Sequence, residues 1–153
     1  MFKIIEQNMK VIGVELSAND ANVCLLSLDN ELFQIPDCRA RKISLPKNAT
    51  SKDLRYFQAT FAKLVQDYKI DKIVVRERPM KGKFAGGAVG FKLEAALELI
   101  LEVDTVIMAP TAIKEAIKRN PVPVPFAETG LKGFQQIAFD AAYGYLMKDK
   151  YEI

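Results

Sequence analysis

The sequence predicts an α/β fold in which a mixed five-stranded sheet is covered by helices on both faces. Three apolar strands joined by turn-forming residues come first, and helical and strand patterns then alternate to the end of the chain. Consecutive strands with tight turns pair antiparallel, whereas strands separated by a crossover helix pair parallel. The chain has 153 residues, so we expect a single domain over residues 1–153.

The first half of the chain predicts three antiparallel strands. The first covers residues 10–16 and the second covers residues 21–28, with turn-forming polar residues between them. The third lies within residues 32–45 and is bent at Pro36. Residues 1–8 show no clear pattern, so we expect them to form a loose leader.

The second half predicts helices that alternate with two parallel strands. Thr50 and Asp53 have the spacing of a capping box, and apolar residues at helical spacing follow them. A continuous apolar run that ends in charges and Pro79 is typical of a buried parallel strand. The predicted elements are a helix over 51–68, a strand over 71–77, a helix over 89–102 with Leu101 facing the core, a strand over 105–108, a short helix over 110–119 and a helix from 130 onward.

Composition excludes several kinds of site. The chain has no histidine, which excludes histidine-based triads and most zinc sites, so catalysis would use carboxylates, lysine, tyrosine or a hard cation. Cys24 and Cys38 lack metal-binding spacing and suit a reduced, cytoplasmic environment. No apolar run reaches the ~18 residues of a membrane span, and the net charge of +3 is compatible with an anionic partner.

Three carboxylates are candidate catalytic residues and metal ligands. Glu15 ends the first strand and Glu77 ends the fourth, so both lie at one edge of the sheet if these strands are parallel neighbours. Asp140 lies in an apolar stretch of the last helix, where an ionised carboxylate needs a partner. Converging carboxylates repel one another unless a divalent cation lies between them. We therefore expect a Mg²⁺ or Mn²⁺ site that activates water for phosphodiester cleavage.

Each of these carboxylates also has a simpler interpretation. Glu77 could form an ion pair with Arg76 or Arg78, which flank it in the sequence. Glu15 could be a solvated turn residue, and Asp140 could lie on the exposed edge of its helix.

Basic residues near the predicted site are candidates for binding the phosphates of a nucleic acid. They are Lys114 and Lys118 in the short helix, Lys132 before the last helix and Lys83 in the loop after the fourth strand. An ordinary exposed helix face is the alternative. The glycine-rich loop over 82–87 lacks the Gly-Lys-Ser/Thr ending of a nucleotide-binding loop. It is either a lid beside the site or a plain connection.

Several segments resemble motifs of the RuvC-type Holliday junction resolvases, which have the ribonuclease H-like fold. Residues 12–19 (Ile-Gly-Val-Glu-Leu-Ser-Ala-Asn) are similar to the Ile-Gly-Ile-Asp-Pro-Gly-Ser signature of that family. Residues 75–79 (Val-Arg-Glu-Arg-Pro) resemble its second acidic motif, and residues 140–143 (Asp-Ala-Ala-Tyr) resemble its Asp-Ala-Ala-Asp motif. The resemblance extends over residues 10–147.

The resemblance implies a nuclease that uses Mg²⁺ or Mn²⁺ and acts, as a homodimer, on a DNA junction or another structured nucleic acid. It assigns the metal to Glu15, Glu77 and Asp140. The sequence departs from the pattern because Glu15 replaces an aspartate and Tyr143 replaces the second helical aspartate. Two hypotheses follow, a metal-dependent nuclease and a non-catalytic nucleic-acid-binding or scaffold protein with the same fold. We also expect a bacterial branch of the superfamily that is distinct from the resolvases proper.

Overall fold

A computed structural model of the protein describes residues 8–81 and 87–151. The strands are β1 (Asn8–Ser17), β2 (Asp20–Asp29), β3 (Leu32–Gln34), β4 (Lys42–Ser44), β5 (Lys72–Arg76) and β6 (Asp104–Met108). The helices are α1 (Ser51–Tyr68), α2 (Ala88–Glu98), α3 (Pro110–Arg119) and α4 (Gln136–Tyr151), with 3₁₀ turns at Phe126–Glu128 and Gly133–Gln135. Among the helices in the described ranges, none combines the length and the apolar character that crossing a membrane requires.

The strands form one mixed sheet in the order β3-β2-β1-β5-β6, with β4 also paired to β2. β1 and β2 pair antiparallel along their full length, from Asn8 opposite Asp29 to Ser17 opposite Asp20. β5 pairs parallel with both β1 and β6. The predicted mixed sheet, with antiparallel strands followed by two parallel ones, is confirmed, except that the third predicted strand is divided in two.

This division arises because the chain leaves β2 after Gln34 and returns at Lys42. At the returning end, the backbone N–H of Val23 on β2 donates to the carbonyl of Arg41 at 2.9 Å. The side-chain Nε2 of Gln135 donates to the Val23 carbonyl at 2.8 Å and so supplies a partner that a neighbouring strand would otherwise provide. The segment that leads into α4 is thereby fixed beside β2.

Two apolar cores lie on the two sides of the sheet. On one side, α1 and α2 pack on alternate residues of the central strands, such as Ile12 and Val75. On the other side, α4 packs on the residues between them, such as Val11 and Val74, and α3 packs on α4. Because side chains alternate along a strand, these contacts fix the side on which each polar strand residue lies.

α4 lies directly on β1 at Gly13. A Cβ atom at this position would be 1.9 Å from the carbonyl oxygen of Ala138 and 2.9 Å from the Cβ of Ala142. Glycine permits this close approach of the strand and helix backbones because it has no side chain. Ala138 and Ala142 therefore mark the side of α4 that faces β1.

The start of α1 is as predicted, whereas the start of α4 is not. Thr50 and Asp53 make both hydrogen bonds of a capping box at the start of α1. α4 begins at Gln136 rather than near Gly130, because the residues before it form a 3₁₀ turn. One consequence is that Phe134, within the predicted range of the last helix, lies before that helix and is 40% exposed.

α2 is shorter than predicted. It ends at Glu98, and Leu101 is 95% exposed, so the prediction that Leu101 faces the core is wrong. Ile100 and Val103, in the connection to β6, supply buried contacts instead. The apolar pattern continues past the end of the helix because the connection itself contributes to the core.

Candidate functional site

A carboxylate and an amide meet near the end of β1. Glu15 on β1 lies opposite Asn22 on β2, and Nδ2 of Asn22 donates a hydrogen bond to Oε1 of Glu15 at 3.0 Å. Asn22 is only 6% exposed, and its Oδ1 has no hydrogen-bond partner among the described residues. A buried oxygen without a partner costs ~1–3 kcal/mol, so this atom is suited to an additional ligand. Asn22 is not among the predicted site residues, although an asparagine within a strand is uncommon and could have indicated it.

This pair belongs to a row of side chains across four strands, which we call the edge row: Lys42, Asn22, Glu15 and Arg76. Asn22 is the register partner of both Lys42 on β4 and Glu15 on β1. The parallel register of β1 with β5 ends with Val14 opposite Val75, and its continuation by one residue brings Arg76 beside Glu15. Opposite residues share one face of the sheet, and the alternation of β1, β2 and β5 places this row on the α4 side. Two cations therefore flank a carboxylate and an amide.

An exposed aromatic ring lies beside the edge row. The Nζ of Lys42 is 4.5 Å from the centroid of the Phe134 ring. The backbone N–H of Lys132 donates to Oε1 of Gln135 at 2.9 Å, and the same Gln135 side chain bonds β2. Lys132 and Phe134 thus lie at the same edge of the sheet as Lys42. Lysines beside an exposed ring are typical of surfaces that bind single-stranded nucleic acid.

Glu77 directly follows the end of the neighbouring strand. Its backbone N–H donates to the Met108 carbonyl at 2.8 Å, which continues the pairing of β5 with β6. Glu77 lines a pocket together with Met108, Tyr145 and Lys148, which lie on the α4 side. On the α2 side, burial raises the pKa of Glu94, and the charges of Glu98 and Glu77 raise it further. Glu15 and Glu77 thus end neighbouring parallel strands.

The arginines that flank Glu77 in the sequence do not form an ion pair with it. Arg76 belongs to the edge row, and Arg78 lies against Phe91 of α2. Within residues 8–81 and 87–151, the ion pairs are Arg39–Asp67, Lys63–Asp67, Lys72–Asp104 and Arg119–Glu115. For this part of the chain, the interpretation of Glu77 as one half of an ion pair with either arginine is wrong.

Asp140 lies on the side of α4 that faces α3. Gly144 is one turn further along α4, and a Cβ atom there would be 3.3 Å from Cγ2 of Ile113 on α3. Ala138 faces β1, and Asp140 is rotated about 200° from it, at about 100° per residue. Burial raises the pKa of Asp140. The side chain of Asp140 is therefore off the side of α4 that packs on Gly13 of β1. It is still near β2, because burial raises the pKa of the Cys24 thiol and the charges of Cys38 and Asp140 raise it further.

The other predicted phosphate-binding lysines lie outside the edge row. Lys114 and Lys118 are one turn apart on the exposed side of α3. Lys83 lies outside the described residues, and so do residues 82–86, which form most of the loop predicted to be a lid.

A protein-family comparison matches most of the chain. The family described as "Protein of unknown function (DUF3010)" matches residues 9–145. The chain belongs to that family. The matched range runs from β1 through most of α4, so it contains Glu15, Glu77 and Asp140. A search of the curated proteins gives no significant match.

Two solved structures of a Thermus thermophilus protein share the fold. "Thermus thermophilus RuvC structure" is similar with a TM-score of 0.73 and 10% identity, covering 94% of this chain and 97% of that chain. "T. thermophilus RuvC in complex with Holliday junction substrate" is similar with a TM-score of 0.73 and 12% identity, covering 94% of this chain and 96% of that chain. At such identities the similarity shows the fold alone, and the predicted ribonuclease H-like fold is confirmed.

Two protein oxygens near the end of β1 are candidate ligands for a divalent cation. In the part of the chain that the structure describes, no group of three or more His, Cys, Asp or Glu side chains is arranged to hold a metal ion. The predicted ligands Glu15, Glu77 and Asp140 are thus not brought together there. The carboxylate of Glu15 and Oδ1 of Asn22 are hard oxygen ligands, and Mg²⁺ often combines one or two protein oxygens with several waters.

Proposed function

We propose that the protein binds nucleic acid along the edge row, with a divalent cation at Glu15 and Asn22 that contacts a phosphate. The observation that carries this proposal is the buried Oδ1 of Asn22, which has no partner among the described residues and lies beside a carboxylate. This binding function requires no cleavage. It corresponds to the nucleic-acid-binding or scaffold hypothesis drawn from the sequence.

The charges of the edge row support a phosphate backbone as the ligand. Lys42 and Arg76 lie at the two ends of the row, separated by about 14 Å if neighbouring strands are about 4.8 Å apart. Two cations at this separation can each contact a phosphate of an extended strand. Phe134, beside Lys42, offers a surface on which a base stacks. Lys132, Lys114 and Lys118 remain proposed backbone contacts.

A Mg²⁺ or Mn²⁺ ion at Glu15 and Asn22 would supply positive charge between the two cations. Without it, the Glu15 carboxylate repels a phosphate placed over the centre of the row. We therefore expect binding to depend on the divalent ion more strongly than the charges of Lys42 and Arg76 alone would predict.

Fluorescence polarisation with a labelled four-way DNA junction, a duplex and a single strand tests this proposal. Lys42→Ala and Arg76→Ala should each weaken binding and lower the salt dependence, by about 0.9 in the log–log slope for one lost duplex phosphate contact. Lys52→Ala, on the exposed surface of α1, is the matched control and should behave like the wild type. Equal losses in all three variants, or no binding to any probe, would reject the proposal.

Metal-dependent phosphodiester cleavage is the second candidate function. Glu15 and Glu77 end neighbouring parallel strands, and this observation favours it. Glu15, Glu77 and Asp140 remain the proposed catalytic residues and metal ligands, and the active species would be a homodimer in the cytoplasm. Incubation of the same substrates with Mn²⁺ or Mg²⁺ should give cleavage that Glu15→Gln and Glu77→Gln abolish. Cleavage that survives Glu15→Gln would exclude this assignment, and unchanged cleavage by Asp140→Asn would remove Asp140 from it.

A further inference from the structure

The guanidinium of Arg78 occupies space that α2 leaves open at a glycine. Gly90 lies in the first turn of α2 and is buried, and a Cβ atom there would lie 1.4 Å from Nη1 and 2.5 Å from Cζ of Arg78. The Cζ of Arg78 is 5.4 Å from the centroid of the Phe91 ring, and Nη1 donates to the carbonyl of Gly87 at 3.5 Å. We call Gly87, Gly90 and Phe91 the arginine site.

Electrostatics at the start of a helix do not favour this position for a cation. The N-terminal end of α2 has the positive end of the helix dipole, and the first turn carries no acidic residue. Glycine within a helix is also less favourable than alanine by ~1 kcal/mol. Two contacts offset this unfavourable electrostatic effect. The guanidinium lies over the Phe91 ring, and it interacts with the charge of Glu94. Burial raises the pKa of Glu94, and Arg78 lowers it. These contacts, together with the space at Gly90, hold the guanidinium on α2.

The position of Arg78 determines whether its guanidinium can pair with the carboxylate of Glu77, its neighbour in the chain. A free Arg78 side chain could reach the Glu77 carboxylate, because both residues are close enough to Glu94 for their charges to act on it, Arg78 lowering its pKa and Glu77 raising it. Held on α2, the guanidinium is instead used in contacts with Gly87 and Phe91. We infer that Arg78 is a positioning residue, which the arginine site holds on α2 so that the Glu77 carboxylate stays open to a cation or a substrate. The last part rests on the role proposed above for Glu77.

Filling the space at Gly90 releases the arginine without unfolding the protein. Gly90→Ala places a methyl group where the far end of a flexible side chain now lies, so the guanidinium moves rather than the backbone. Alanine also favours the helix. Gly87→Ala is the matched control, because its Cβ atom would be 4.0 Å from Nη2 of Arg78, an ordinary contact.

NMR of the Arg78 side chain tests the position of the guanidinium without a metal. In the wild type and in Gly87→Ala, the Arg78 side-chain protons should show the ring-current shift of Phe91, and Glu77→Gln should leave the Arg78 Nε resonance unchanged. In Gly90→Ala the ring-current shift should disappear, and Glu77→Gln should now move the Nε resonance. A ring-current shift that persists in Gly90→Ala, or an Nε resonance that responds to Glu77→Gln in the wild type, would overturn the inference.

Broadening of the Glu77 amide signal by Mn²⁺ then tests the consequence for the site. Gly90→Ala should raise the Mn²⁺ concentration needed for half-maximal broadening about two- to fivefold, the range expected for an exposed ion pair. Gly90→Ala/Arg78→Gln should restore the wild-type value, which loss of helix structure would not do. If the wild-type Glu77 signal does not respond to Mn²⁺ while the metal-free results are as expected, the role proposed for Glu77 fails and the position of Arg78 stands. If Gly90→Ala leaves the Mn²⁺ response unchanged, the consequence inferred for Glu77 is wrong.

Discussion

On the side of the sheet covered by α1 and α2, large apolar side chains fill the space between helix and strand, and Phe57 and Phe61 are almost completely buried. On the side covered by α4, the helix backbone lies against β1 at Gly13, and the buried polar side chains of Asn22 and Gln135 lie near the start of the helix. The first interface is separated by large apolar side chains, and the Gln58 side chain of α1 donates a hydrogen bond to the Ala96 carbonyl of α2 across it. The second is close, and it brings polar side chains to the end of β1.

This difference explains where the candidate site lies. α4 is fixed at its start by Gln135, which bonds β2, and it then follows β1 through Ala138 and Ala142. It therefore does not cover the end of β1, where Glu15 remains partly exposed beside Asn22. The position of the edge row is thus set by the close backbone contact of α4 with Gly13 rather than by a motif.

Phe61→Ala should have the largest effect on stability, because it empties part of the side-chain-filled interface. Phe61 is completely buried and packs at 5.3 Å from the ring of Phe57. Removing the ring should lower the free energy of unfolding by about 4 kcal/mol, measured by urea denaturation. Tyr56→Ala, on the same helix with Tyr56 75% exposed, should change it by less than ~0.5 kcal/mol. Similar losses in the two variants would contradict the description of this side.

Gly13→Ala should disrupt the close interface on the other side. The added methyl group would lie 1.9 Å from a helix carbonyl oxygen of Ala138, so backbone must shift. We expect a loss of about 3 kcal/mol in the free energy of unfolding. Gly144→Ala is the control, since its methyl group would be 3.3 Å from a side-chain atom of Ile113 and alanine favours a helix. If Gly144→Ala loses as much stability as Gly13→Ala, the close contact between α4 and β1 is not the cause of the loss.

The sequence was sufficient for features that depend on local pattern. The capping box at Thr50 and Asp53 predicted the start of α1, and the alternation of helix and strand predicted the parallel pairing of β5 with β6. The parallel pairing of β5 with β1 was only a condition for bringing Glu15 and Glu77 together, and the structure meets it. These features follow from short-range hydrogen bonds and from the period of the apolar residues, which a single sequence contains.

Features that depend on register or on helix rotation were not available from the sequence. The register that pairs Val14 with Val75 brings Arg76, rather than Glu77, beside Glu15 when it is continued by one residue. α4 packs on β1 through Ala138 and on α3 through Gly144, so it is apolar on several sides and has no single apolar stripe. The direction of Asp140 therefore could not be read from its neighbours.

Asn22→Leu tests the polar character of the α4 side with a smaller effect. The substitution removes the buried Oδ1, which has no partner among the described residues. It also removes the hydrogen bond to Glu15, but Glu15 is exposed enough for water to replace that bond. We expect stability without metal to rise by about 1 kcal/mol. Stabilisation by Mn²⁺, measured as a shift in Tm, should be lost. Glu15→Gln is the control and should lose the Mn²⁺ shift without gaining stability. A Mn²⁺ shift that persists in Asn22→Leu would exclude Asn22 as a ligand.

Asp140→Asn should give the smallest effect, visible in the pH dependence of Tm. Burial raises the pKa of Asp140 above 3.8, so the folded state binds the proton more tightly than the unfolded state does. The wild type therefore loses stability as pH rises from below 3.8 through the raised pKa, and Asp140→Asn removes this loss. The variant should have the higher Tm at pH 7, and the difference should shrink toward pH 3.5.

Asp67 on α1 provides the matched control, because its pKa is shifted in the opposite direction to that of Asp140. The hydrogen bond from Arg39 lowers the pKa of Asp67, so its contribution to stability is present above the ordinary pKa and is lost as pH falls through the lowered value. Asp67→Asn should therefore not raise Tm at pH 7. If Asp140→Asn also fails to raise Tm at pH 7, Asp140 has a stabilising partner in the folded protein. A metal shared with other carboxylates would then become the preferred explanation, and addition of a chelator should expose the stabilising effect of the variant.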